Sequence, residues 1–166
     1  MKVGQTSVCG GLQPDRRRRN GRAQARRRLK SAPPLIIGYG SPLRGDDAFG
    51  YRAAERIPGA IAVHQLTPEL MDPIARARHV IFLDASAEGA PGEIRRRELA
   101  PAAPGAAFTH HATPEGLLAG ALTLYGHAPP AEILTVCGAN FSLSTDLSPA
   151  VAVALESVVG LFRTRS

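Results

Sequence analysis

"LIIGYGSPLRGDDAFGYRAAER", residues 35–56, is the stretch on which the reading of the fold turns. Leu35–Tyr39 is short and apolar and runs into glycine, the pattern of a buried strand. A loop with further glycines, a proline and two adjacent aspartates follows. From Ala48 to Arg56 the chain reads as a helix, closed by Pro58-Gly59. Strand, tight loop and helix in this order suggest that the rest of the chain be read for the same alternation.

That alternation continues downstream. Ala60–Gln65 predicts a second strand and Pro68–Ala77 a second helix, with proline tolerated in its first turn. His79–Asp84, "HVIFLD", is β-branched and aromatic and predicts a central strand. Glu93–Glu98 predicts a polar edge strand, Pro114–Tyr125 a helix ended by Gly126, Glu132–Gly138 a strand, and Ser148–Phe162 the last helix. Such a series predicts a three-layer α/β/α sandwich, a mostly parallel sheet of about five strands with helices on both faces. Ligands of such sheets bind beyond the carboxyl ends of the strands, where the strand order reverses. The loops to inspect are therefore 38–47, 84–92, 105–114 and 138–147.

The loop after the first strand decides between an anion and a cation. A dinucleotide fingerprint needs a third glycine where Leu43 stands, and a P-loop needs a lysine where the chain has Asp46-Asp47. Two carboxylates at a helix start would repel phosphate. Asp46 occupies the place of an N-cap, which leaves Asp47 to face the cleft. Asp84 closes "HVIFLD"; a turn-forming aspartate is the ordinary explanation, but its place at a carboxyl strand end favours function. His110 and His111 precede a helix on a loop that the fold would bring to the same edge. Two carboxylates and an imidazole make an open, mixed oxygen and nitrogen site for a metal. His64 and His79 have no evident acidic partner, His127 follows a helix end, and all three read as structural. Cys137 ends an apolar strand and reads as a small core residue. There is no G-x-S-x-G elbow and no H-E-x-x-H.

Charge divides the chain. Residues 1–30 hold ten of the 20 Lys and Arg and one acid, whereas the remainder is mildly acidic, so the net +6 describes the tail. The tail has few large apolar residues and is expected to be disordered, a basic extension over 1–32 ahead of one domain over 33–166. No apolar core follows its arginines, so a secretory signal is not expected; a solvated tail or a start placed too far upstream accounts for it. The body offers no case for nucleic-acid binding, and no apolar run is long enough to span a membrane. The two cysteines make no disulfide framework, consistent with a reducing cytoplasm.

Four blocks taken together, "LIIGYGSPLRGDDAFGYRAAERI", "VIFLDAS" with "GAPGE", "THHATPEGLL" and "LTVCGANFSLSTDLSPAVAVALESVV", resemble the [NiFe]-hydrogenase maturation endopeptidases over roughly residues 35–162. The resemblance implies an aspartic-type, nickel-dependent endopeptidase, acting in the cytoplasm as a monomer. It removes the C-terminal extension of a hydrogenase large-subunit precursor after nickel insertion. The nickel is implied to arrive with the precursor rather than to be held permanently. Its ligands, and the catalytic residues, are implied at Asp47, Asp84 and His110, with His111 as the alternative. Substrate contacts are implied at Gly40 and Ser41, and at Gln65, Thr67 and Glu69. Two departures stand out. Ser41 replaces the usual asparagine, and "HQLTPEL" replaces a D-G-G-T-like stretch, a form that looks more like members serving bidirectional or NAD-linked hydrogenases. The competing readings are a non-cleaving assembly chaperone for the same large subunit and a nucleotide-binding α/β domain.

Overall fold

The computed structural model describes residues 33–103 and 112–163. The basic segment 1–32 and the pair His110-His111 therefore lie outside the described residues. Five strands, β1 (Leu35–Tyr39), β2 (Ile61–Val63), β3 (Val80–Ser86), β4 (Ile94–Leu99) and β5 (Ala131–Cys137), form one sheet in the order β2-β1-β3-β5-β4. All neighbours run parallel except β4, which lies antiparallel to β5 at an edge. The helices are α1 (Phe49–Arg56), α2 (Met71–Arg76), α3 (Pro114–Tyr125) and α4 (Pro149–Arg163). The expected three-layer sandwich is what the chain forms.

Strand alternation sorts the core into two layers. Ile36, Ile81, Leu83, Leu134 and Val136 face α1 and α4, where Phe49, Ala53, Val151 and Val158 meet them. Ile37, Val80, Phe82 and Ile133 face α2 and α3, against Met71, Ile74, Leu117 and Leu118. Central β3 is buried on both sides from Val80 to Leu83, which is why "VIFL" is apolar without alternation. Edge strand β4 is exposed from Ile94 to Glu98, as its run of arginines suggested.

Two element boundaries differ from expectation in ways that matter. The predicted helix over 68–77 is a single 3-10 turn, Pro68–Leu70, followed by the short α2. Strand β3 continues two residues beyond Asp84, because β5 still pairs with it there: Asp84 opposite Thr135, Ser86 opposite Cys137. Pairing of β3 with β1, by contrast, is complete at Gly38 opposite Leu83. The chain runs from β1 through α1 to β2 on one side, then through α2 to β3 on the other. The order thus reverses at β1, the switch point at which sheets of this kind form a crevice beyond the carboxyl ends of their strands, here those of β1 and β3. Asp84 sits at its lip, held from one side only.

Candidate active site

Backbone geometry brings the first aspartates to this crevice. Gly40 has φ +137°, and a Cβ there would lie 1.8 Å from the carbonyl oxygen of Asp47. Only glycine lets the loop fold back on itself so tightly. The turn places the backbone N–H of Ser41 2.8 Å from Asp47 Oδ2, to which it donates. Ser41 thus serves Asp47 through its main chain, a bond that asparagine would supply equally.

Asp46 overturns its expected role as a helix cap. Neither the 3-10 turn Gly45–Ala48 nor α1 has a side-chain cap. The Asp46 side chain is fully buried and accepts from three backbone N–H groups: Ala139 at 2.7 Å, Asn140 at 2.9 Å and Ser148 at 2.7 Å. Burial alone would raise its pKa, but those donors outweigh it and hold the carboxyl below the usual range. Asp46 ties the loop after β1 to the loop after β5. Asp47 is half-buried at the crevice.

Asp84 Oδ1 accepts from the Ala85 N–H at 2.8 Å. Burial pushes its pKa up to about 6; bonds from Tyr39 and Ala85 oppose that, and the charge of Asp47 adds to it. The two aspartates expected at the site therefore stand close enough to feel one another. Tyr39 is the residue that sequence reasoning missed. Burial first, then the charge and hydrogen bond of Asp84, hold its phenol far above the ordinary value. Its signal was available: a phenol at the last position of β1, one residue past the register pair Gly38 and Leu83.

Of the other expected residues, Gln65, Thr67 and Glu69 follow β2 at the same edge of the sheet, beside β1. Thr67 bonds the Glu69 carboxylate and lowers its pKa. Among the described residues, no three or more His, Cys, Asp and Glu are grouped to hold a metal ion. Downstream of the histidine pair in sequence, Ala112 packs on the same core layer as Tyr39, and Glu115 on the first turn of α3 carries a charge that reaches Tyr39. His79 does have an acidic partner, contrary to expectation: its Nε2 lies 3.1 Å from Glu132 Oε1. Glu132 is buried and also paired with Arg96, which holds its pKa down. That cluster is at the amino end of β5, away from the crevice. His64 meets Tyr51 edge-on, with ring centroids 5.0 Å apart. Cys137 is buried, with Sγ 2.9 Å from the Glu88 carbonyl, as a core residue should be.

The fold has counterparts among solved structures. The [NiFe] hydrogenase maturation protease HycI from Thermococcus kodakarensis KOD1 is 21% identical, with a TM-score of 0.63 over 85% of this chain and 97% of that one. The hydrogenase maturating endopeptidase HybD from E. coli is 24% identical, with a TM-score of 0.57 over 76% of this chain and 87% of that one. The hydrogenase 2 maturation peptidase from a Thaumarchaeota archaeon is 23% identical, with a TM-score of 0.53 over 76% and 93%. The fold is that of the hydrogenase maturation endopeptidases. No family model and no curated protein sequence matches the chain.

Proposed function

We propose that this protein is an endopeptidase that removes the C-terminal extension of a nickel-loaded [NiFe]-hydrogenase large-subunit precursor. The observation that carries the reading is the juxtaposition of Asp47 and Asp84 in the β1/β3 crevice of this fold, with no basic group bonded to either among the described residues. Two carboxylates left together in this way call for a cation. The nickel is cargo of the substrate, and recognition of it confines cutting to precursors already loaded. His110, or His111 in its place, completes the ligand set; the pair precedes Ala112 by no more than two residues, a reach of about 7 Å. Gly40 and Ser41 line the approach. Gln65, Thr67 and Glu69, at the end of β2, contact the large subunit and contribute to the choice of partner. The activity resides in the α/β domain from residue 33 onward, as a monomer in the cytoplasm, and the basic segment 1–32 takes no part.

Next to a divalent cation, an ionised Asp84 can join its coordination or take a proton from an attacking water. Either role needs the charge. Asp47→Asn, Asp84→Asn and His110→Ala are each expected to abolish processing of the nickel-loaded precursor, with His111→Ala mild. Cleavage is read as the mobility shift of the large subunit, on nickel-loaded and nickel-free precursor in parallel. Equal cutting of both by the wild type, or full activity in Asp47→Asn, would falsify the reading. Binding of the loaded precursor without any cutting would establish the chaperone instead.

A further inference from the structure

We infer that Tyr39 is a positioning residue for this reaction: its phenol holds the Asp84 carboxylate in the orientation that engages the cation carried by the substrate. The inference deepens the proposed function and rests on it.

The placement follows from the sheet. Gly38 is paired with Leu83 across the parallel strands, and Tyr39 and Asp84 are the next residues along the two strands, one step beyond that last pair. Alternation puts both on one face. Ile37 and Phe82, one pair earlier on that face, belong to the α2/α3 core layer, and Tyr39 packs against the same layer. Cross-strand neighbours of this kind are separated by about 5 Å, within reach of a phenol. The Tyr39 hydroxyl makes its hydrogen bond to Asp84.

Among the described residues, the surroundings leave the phenol one partner. Two carboxylates face it, Asp84 from β3 and Glu115 from α3. Glu115 already accepts from Arg97 Nη2 at 3.1 Å, across from β4. Among the described residues, Asp84 has only the Ala85 N–H besides, at 2.8 Å on Oδ1. A phenol has a single proton to donate, and it goes to the carboxylate with the greater need. Ala85 N–H is fixed by the pairing of β3 with β5, and the Tyr39 ring by the core, so both donors to Asp84 are rigid. A metal-binding carboxylate held by such a partner loses rotational freedom and keeps its remaining lone pairs for the ion. Phenylalanine would fill the same space, so packing alone does not account for the hydroxyl.

Tyr39→Phe tests this. Removal of such a partner typically costs about 10–100-fold, and cleavage of nickel-loaded precursor should fall by that factor. The preference for nickel-loaded over nickel-free precursor should narrow, and the thermal midpoint should stay close to wild type. Tyr51→Phe, which removes a phenol bonded to Glu55 on α1, should change none of these. Binding of loaded precursor separates the direct route from any other. Tyr39→Phe in an Asp84→Ala background should weaken it no further, because the carboxylate through which the phenol acts is gone. A wild-type preference ratio in Tyr39→Phe would overturn the inference, as would a further binding loss in the double variant. If the wild type cuts neither precursor, the endopeptidase reading fails on its own, and the binding comparison still decides the role of Tyr39.

Discussion

Asp84 is ionised at neutral pH against the pull of its surroundings. Its pKa is raised to about 6 from an ordinary 3.8, chiefly by burial. The folded protein therefore keeps this proton over an interval in which the unfolded chain has released it. Stability from this group is fully present below pH 4, declines as pH rises through about 6, and stays reduced above. Asp84→Asn should accordingly be more stable than wild type at pH 7, by about 1–2 kcal/mol once partial solvent access is allowed for. The gain should vanish at pH 4, and urea unfolding at the two pH values measures it. The same substitution removes activity, the trade expected where a charge is kept in an unfavourable place for function. Both aspartates could be picked out in the sequence, because a carboxylate after a strand and another before a helix are local features. Their mutual influence could not, because it depends on which strands are neighbours. Tyr39 was overlooked for the same reason: inside G-x-G it reads as one more strand residue until β3 is laid beside it.

At the scale of elements, α1 is seated on the sheet through glycines rather than side chains. A Cβ on Gly50 would lie 2.1 Å from the Leu83 carbonyl oxygen and 2.4 Å from that of Tyr39. A Cβ on Gly38 would lie 1.9 Å from the Gly50 carbonyl oxygen. All of these are backbone atoms that cannot swing aside, so helix and strands touch main chain to main chain. This close seat sets the distance between α1 and the crevice, and with it the position of Asp47. Gly50→Ala should destabilise by about 3 kcal/mol or more, or prevent folding. Circular dichroism melting shows it directly, and a melt within a few degrees of wild type would refute the close-packing account. Glycine-rich spacing was visible in the sequence and reads there only as a tight loop. The turn at Gly40 is present, but Gly38 and Gly50 serve helix–strand contact, which no loop pattern reveals.

Across the whole molecule, Asp46 joins parts of the chain about a hundred residues apart. Its three donors come from the loop after β5 and from the start of α4, at sequence separations of 93, 94 and 102. Asparagine has one acceptor oxygen, and its amide would confront a remaining N–H with another donor. Asp46→Asn should therefore cost about 2–3 kcal/mol, where a simple cap would lose almost nothing. Because the carboxyl is held below its ordinary value, its stabilisation is present above about pH 4 and is lost as pH falls through the folded pKa. Urea unfolding at pH 7 and pH 3 should show the gap between variant and wild type closing at the lower pH.

The sequence by itself determined the alternation of strands and helices, the polar edge of β4, the apolar centre of β3, and the loops at which carboxylates gather. These are set by periodicity and turn chemistry within some ten residues. Only the tertiary structure decided that Asp46 is a buried tie rather than a helix cap, that His79 has Glu132 for a partner, and that Tyr39 bonds Asp84. An aspartate before a helix has the same local signature whether it caps that helix or ties distant loops together. What separates the two roles is whether it meets the backbone N–H groups of a distant loop, and that is settled when β1, β3 and β5 come side by side.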